Sequence, residues 1–358
     1  MTLDGVIVAD FSRILAGPIC TQVLADLGAD VVKVERPDGG DDTRGWGPSY
    51  FLTANRGKRS VTLDLKDPED VELARELVRR ADVVVESFRP GVMDRLGLPP
   101  SLNPRAAWCS ITAFGDSDLP GYDLLLQAVS GLMHLTGEPD GPPVKVGAAL
   151  VDVVCGLHAA IGVLAKLRVG EGGRFEVTLM DSALVSLVNQ ASAHLNDGAS
   201  PRRMGNRHPS IAPYETFGEL AIACGNDAMF ARLCGVLGLD DLPGDPRFAT
   251  NDARVEHRDA LSARIEAALA AGDEDWAERL NAAGVPAGRV NDVPQAFAFA
   301  ESLGLDPVWE LDGVRTVRSP LRGLAEPTTR PPRLGEHDEE VRRWLRRPPS
   351  PGGSSSGA

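Results

Sequence analysis

A chain of 358 residues with 43% hydrophobic and 25% charged side chains has ordinary globular composition and room for about two domains. Its formal net charge of −14 argues against a general nucleic-acid surface and a polybasic membrane patch, but not against a local basic pocket for an anionic ligand.

Val6 to Phe11 is a short apolar run, broken by Ala16-Gly17-Pro18. Helical spacing follows from Cys20 to Gly28, then a second strand from Asp30 to Glu35. Together they predict a βαβ unit, with Pro18 near the first helical position and Gly28 near the C-cap. Ser60 to Leu65 predicts a third strand. Pro68 to Ala81 predicts a helix, with Asp67 as N-cap and Arg79 and Arg80 in the last turn. Asp82–Glu86 and Trp108–Thr112 predict two more strands. Apolar strands between helices indicate an α/β fold with a doubly wound parallel sheet.

From Tyr122 onward helices are expected at Leu124–Thr136 and Val151–Leu167, then a strand at Arg174–Leu179 and a helix from Asp181. The stretch 195–212, rich in Pro, Arg, Asn and Gly, predicts a linker that closes a large domain over residues 1–200. Residues 213–300 predict a smaller, Ala-rich domain. Its helices fall at Arg254–Ala271 and Asp275–Ala283, with a turn-strand at Gly284–Val290. Residues 348–358, mostly Pro, Gly and Ser, predict a disordered tail.

Five scattered cysteines without a CxxC pair predict buried thiols in a reducing cytoplasm, and no metal-ligand set is visible. The N-terminus has neither a basic n-region nor a long apolar h-region, so no signal peptide is expected. No uninterrupted apolar run reaches about 18 residues, so no membrane span is expected.

One carboxylate stands out. Asp152 lies in the small, apolar stretch Val146 to Leu164, with no Lys or Arg between Lys145 and Lys166. A carboxylate there is costly unless it is hydrogen-bonded or faces a solvated cleft. Two readings are open: a helix N-cap, or a group kept for chemistry.

The first βαβ unit ends in Glu35, where a ribose-binding acid sits in dinucleotide sites. The turn Ser12 to Pro18 lacks GxGxxG, however, and Arg36 suits a phosphate better than a ribose diol. No NAD or flavin is therefore expected. Cations cluster in the loops of this region: Arg13, Arg36, Arg44, Arg56, Lys58, Arg59, Lys66, Arg89 and Arg95. Several adjoin predicted strand ends, where open α/β sheets bind ligands. As a group they suit a ligand carrying several phosphates.

Several segments together resemble one family. They are Asp10 to Pro18, Leu27 to Pro37, Asn55 to Ser60, Leu63 to Lys66, Glu86 to Gly97, Gly121-Tyr122-Asp123, the Asp152 stretch, and Pro331 to His337. The chain is similar over residues 3–345 to the class III coenzyme A transferases, the formyl-CoA transferase and carnitine CoA-transferase group. α-Methylacyl-CoA racemase belongs to the same superfamily. The resemblance implies a Rossmann-like large domain built from both chain ends, with residues 302–345 returning to it. It also implies a small α+β middle domain and an interlocked homodimer whose sites combine domains of different subunits.

By the same resemblance, Asp152 matches the catalytic aspartate, which would carry CoA covalently between an acyl-CoA donor and a carboxylic acid acceptor. Amides at the start of the Val151–Leu167 helix are expected to stabilise oxyanions. Asp123 and Tyr122 match functional positions beside it. Ala16, Arg36, Leu63, Lys66, Ser87, Phe88, Arg89 and Arg95 match the CoA site, while Leu15 and Trp46 match the acyl pocket. Leu15 stands where formyl-CoA transferases carry a functional Gln, and Ser87 replaces an Asn. The glycine-rich lid of those enzymes has no counterpart between 200 and 230.

The racemases use a His/Asp pair for proton transfer at two faces. Their His position holds Tyr122 here, whose ordinary pKa near 10 makes it a poor substitute. His134 and His158 lie at predicted helical positions among apolar neighbours. Transfer is therefore expected over racemisation. A non-catalytic CoA-binding homologue is a further alternative, against which the presence of Asp152 speaks.

Overall fold

The computed structural model describes residues 2–272, 275–326 and 328–348, and the rest of the expected disordered tail lies outside the described residues. The chain forms two compact units. One comprises Met1–Leu132, Val146–Ala199 and Asp306–Ala358, and the other Met133–Lys145 and Ser200–Leu305. The segment 133–145 thus joins the second unit, whereas the sequence placed it in the first.

The first unit is built on six parallel strands: β1 (Ile7–Phe11), β2 (Asp30–Glu35), β3 (Lys58–Thr62), β4 (Val83–Glu86), β5 (Ala107–Thr112) and β6 (Gly173–Thr178). Their order is β3-β2-β1-β4-β5-β6. The helices up to residue 197 are α1 (Ala16–Asp26), α2 (Pro48–Thr53), α3 (Pro68–Arg80), α4 (Val92–Arg95), α5 (Asp123–Val129), α6 (Leu132–Leu135), α7 (Leu150–Val169), α8 (Leu179–Val185) and α9 (Val188–Asp197). Leu124–Thr136 is therefore two short helices rather than one, parted at Gly131, whose φ of 93° does not continue a helix.

Strand alternation feeds two cores, one on each face of the sheet. Val8, Val31, Val83, Val85 and Cys109 join one core with Cys20 and Leu24 of α1 and Val151, Cys155 and Val163 of α7. Ala9, Phe11, Val32, Val84 and Trp108 join the other with Leu73 and Leu77 of α3 and with Val341 and Leu345 of the C-terminal helix Asp338–Arg346. α3 starts where the sequence placed it: the Asp67 carboxylate accepts the Glu69 and Asp70 amides, a cap worth about 1 kcal/mol. The C-terminal segment covers the exposed edge of the sheet. The Ser60 amide donates to His337 Nδ1, and the His337 amide donates to the Ser60 carbonyl.

α7 bears on the expectation that no segment spans a membrane. At 20 residues it is long and apolar enough to cross a membrane by length and composition, although Asp152, His158, Lys166 and Arg168 interrupt its apolar run. Val151, Cys155, Ala159, Ala160 and Val163 are buried in the first core, so it is also an inner helix of the sheet layer.

The second unit holds an antiparallel sheet of Tyr214–Phe217, Leu220–Ala223 and Ala287–Arg289, in that order. Its core gathers Phe217, Ile222, Phe230, Leu233, Leu261, Ile265, Leu280 and Val285. The hairpin 214–223 and the helix Asp227–Leu237 were not read from the sequence. The single helix expected at Arg254–Ala271 is broken at His257 into Asn251–Glu256 and Arg258–Ala270.

Candidate active site

Ligands of open parallel sheets bind beyond the strand C-termini where the strand order reverses. Here that point lies between β1 and β4, and two cavities open there. The first, of about 290 Å³, is lined by Leu15, Ala16, Ser87, Phe88, Arg89, Tyr122 and Asp152, among others. The second, of about 300 Å³, is lined by Arg36, Leu63, Lys66 and again Phe88. Arg13 lines both, with its guanidinium 5.5 Å from the Phe88 ring centroid. Ten of the thirteen side chains picked from the sequence therefore meet around two adjoining cavities.

Asp152 is the third residue of α7, not its cap; the N-cap is Ala149, whose side chain cannot accept a hydrogen bond. An acid at this position commonly folds back onto its own helix end. Here a second carboxylate takes that task from α5: Asp123 Oδ1 accepts the amides of Val151 (2.8 Å) and Asp152 (3.3 Å). Gln127 holds the other oxygen of Asp123 at 2.6 Å. The Asp152 carboxylate is thereby left free, and among the described residues no protein group donates to it. Burial, and then the neighbouring charge of Asp123, push its pKa up to about 7. The α7 amides expected as oxyanion donors are instead occupied by Asp123.

Small residues explain how Asp152 reaches the β1–α1 turn. A Cβ on Gly156 would lie 2.5 Å from the Ala16 carbonyl oxygen and 2.9 Å from Ile19, so only glycine lets α7 approach α1 this closely. At the turn, Ile14 adopts φ 73°, a conformation costing a β-branched residue about 1–2 kcal/mol. The Ile14 amide donates to Asp41, and the Arg13 amide donates to Ser87 Oγ at 3.0 Å. Among the described residues, the amides of Leu15, Ala16 and Gly17 that follow have no protein acceptor. They belong to the turn that lines the Asp152 cavity.

The family model described as CoA-transferase family III matches residues 3–338. The chain belongs to CoA-transferase family III. It is a transferase that moves CoA between an acyl-CoA thioester and a carboxylic acid, as the resemblance implied. It is 41% identical to the succinate–glutarate CoA-transferase of Agrobacterium fabrum, over 95% of this chain and 94% of that one. It is 38% identical to the acetyl-CoA:oxalate CoA-transferase of Acetobacter aceti, over 96% of each. The crystal structure of a CaiB/BaiF family protein from Brucella suis matches at TM-score 0.84 and 42% identity, covering 96% of this chain and 98% of that one.

Within this transferase the loop cations divide by partner. Lys58 is fully buried against Asp10, Arg56 pairs with Asp26, Arg44 with Glu35, and Arg59 with Asp30 and Glu340. These four are structural, which corrects the reading of all nine as one phosphate-binding group. Glu35 is likewise engaged, by Arg44, Ser60 Oγ and the Asp41 amide. Lys66, Arg89 and Arg95 have no ion pair among the described residues, and Arg36 pairs at the surface with Asp42. Arg95, exposed at the end of α4, lines neither cavity, although its neighbours Val92 and Leu96 line the second. Trp46 is exposed and packs edge-on against Tyr50, also away from both cavities. His134 and His158 line neither. Sequence reading counted Arg13 only among the loop cations, and it missed Ile14 as a site residue, and also Thr112 and Ala113 at the C-terminal end of β5. The strand-end rule applied to β5 would have found the latter pair.

Proposed function

We propose that the chain transfers CoA between small dicarboxylic acids, with Asp152 as the temporary covalent carrier. The free, half-buried Asp152 carboxylate facing the first cavity carries this reading. Arg13 and Arg89 line the same cavity, a setting that suits an acyl group ending in a second carboxylate. The names of the Agrobacterium and Acetobacter relatives support the same substrate class.

In the first step an Asp152 oxygen attacks the thioester carbonyl, and the CoA thiolate leaves an aspartyl–acyl anhydride. The thiolate then attacks the Asp152 carbonyl carbon, expelling the donor carboxylate and leaving an aspartyl-CoA thioester. The acceptor carboxylate attacks that thioester, and the returning thiolate takes the acceptor's acyl carbon. This releases the new acyl-CoA and restores Asp152. Water is not consumed and no electron is transferred. A desolvated carboxylate with pKa near 7 is more basic and more nucleophilic than one in water. The free amides of Leu15 to Gly17 replace the α7 amides as oxyanion donors. Arg36, Lys66 and Arg95 hold the CoA phosphates, and Leu63 flanks the adenine. Asp123 positions α7, and Tyr122 borders the acyl group.

We also propose a homodimer of the interlocked kind, with Trp46 meeting the acyl group only in that assembly. Leu157, Ile161, Val185, Val188 and Leu195 on α7, α8 and α9 are exposed apolar side chains that suit burial against a second copy. Five free, buried cysteines fit a reducing, cytoplasmic compartment.

Incubation with succinyl-CoA, followed by intact mass analysis, tests the carrier. A CoA-sized adduct on Asp152, removed by hydroxylamine and absent from Asp152→Ala, is expected. Full transfer to glutarate by the Ala variant would refute the mechanism.

A further inference from the structure

Behind the β1–α1 turn lies a buried ion pair that the chemistry above does not use. Lys33 Nζ is 2.9 Å from Asp41 Oδ2, and both side chains are fully buried. Lys33 also donates to the Ser12 carbonyl at 2.9 Å. Asp41 accepts the amide of Ile14, at 3.3 and 3.2 Å to its two oxygens. Thr43 steadies the same carboxylate through its amide and hydroxyl. Ser87 takes the Arg13 amide between these two tethers. Three consecutive residues of the turn are thus pinned by partners from β2, the 41–45 turn and the segment after β4. The last pinned residue is the left-handed Ile14, and the next three carry the unpartnered amides.

We propose that Lys33 and Asp41 are positioning residues for the transfer reaction: they hold Ile14 left-handed and so aim the Leu15–Gly17 amides at the oxyanion formed on Asp152. The proposal rests on the reading of Asp152 as carrier. The β-branched side chain of Ile14 resists this backbone conformation, whereas glycine adopts it freely. Gly17 belongs to the same device, since a Cβ there would fall 2.2 Å from Ser12 Cβ.

A double-mutant cycle between Asp41→Asn and Ile14→Gly tests this, read as the rate of Asp152 adduct formation at saturating succinyl-CoA, where CoA affinity drops out. Asp41→Asn is expected to slow that rate about thirty-fold with Ile14 present, but no more than about three-fold in the Ile14→Gly background, the size of coupling seen between contacting residues. A merely structural role for Asp41 gives equal losses in the two backgrounds, and equal losses overturn the proposal. If Asp41→Asn does not fold, Lys33→Met combined with Asp41→Leu removes both buried charges at similar volume, and the same cycle is read on that pair. A wild-type protein that transfers CoA without forming the adduct overturns the carrier role instead, and the cycle is then read on the transfer rate.

Discussion

Asp10 and Asp152 are two aspartates of the same unit, on β1 and α7, and they meet burial in opposite ways. Asp10 is fully buried, and burial alone would raise its pKa. Lys58 at 3.1 Å and Lys33, with the hydroxyls of Ser12 and Thr21, outweigh that and hold it down at about 2. Asp152 is less buried, yet among the described residues nothing donates to it, and its pKa rises to about 7. The same residue type is a low-pKa structural strut where its lone pairs are filled and a group of raised pKa where they are empty. The difference lies in the donors, not in the degree of burial.

Replacing Asp152 by Asn breaks the comparison most strongly, and in two directions. Transfer should fall at least about a thousand-fold, as expected when a covalent carrier is lost. Stability should move the other way. The folded-state pKa is raised, so between about pH 4 and pH 7 the folded protein binds more protons than the unfolded one. This group's contribution to stability therefore falls as pH rises through that window. At pH 8 the wild type carries the whole penalty, on the order of 4 kcal/mol for a rise from 3.8 to about 7. The Asn variant should melt higher than wild type at pH 8 and close to it at pH 4. Equal melting temperatures at pH 8 would mean that Asp152 is better solvated than its position implies.

Asp10 supplies the opposite result. Asp10→Asn leaves Lys58 and Lys33 buried with one counter-charge fewer. The loss should be about 3–5 kcal/mol in urea unfolding at pH 7. The wild-type contribution is present above about pH 4 and is lost as pH falls through 2. A variant as stable as wild type at pH 7 would contradict the network described for this residue.

Much of this contrast was legible in the sequence, and the reasons for the rest are specific. Short apolar strand runs and the Asp67 cap placed the sheet and α3 closely, because both signals are local. Asp152 was visible as an acid without a cation nearby. Its accepting no hydrogen bond was not, because the cap that frees it comes from Asp123, about thirty positions earlier in the chain. Lys58 and Arg56 read as ligand cations because their partners, Asp10 and Asp26, are equally remote. His257, which splits a helix expected to run from Arg254 to Ala271, carries no breaker signal in its own residue type.

Asp123 sharpens the comparison because it acts on Asp152 without facing the cavity. Asn at 123 keeps an oxygen for the Val151 and Asp152 amides but removes the like charge. Burial remains the larger cause of the raised pKa, so the midpoint of the acid limb of kcat/KM against pH should fall below that of wild type and stay above an ordinary carboxylate. The rate above the limb should drop roughly ten-fold through a weaker cap. An unmoved limb with the same loss of rate would confine Asp123 to holding the helix.

The smallest expected effect concerns the phosphate end. Asp42 sits 2.7 Å from Arg36 and 3.6 Å from Arg13, both of which line the second cavity. A phosphate must displace this carboxylate from Arg36 or bind beside it. Asp42→Asn should therefore lower KM for the acyl-CoA, by about two- to three-fold, since exposed ion pairs are worth at most about 1 kcal/mol. Arg36→Gln does the reverse and leaves Asp42 next to the ligand with only the more distant Arg13 beside it, so its cost should exceed that of Lys66→Gln, which breaks no ion pair among the described residues. Both effects should shrink between 0.05 and 0.5 M salt, because the Debye length falls from about 14 to about 4 Å and these groups are open to solvent. A KM that ignores salt, or rises in Asp42→Asn, would move the phosphates away from Arg36 and leave Lys66 and Arg95 to hold them.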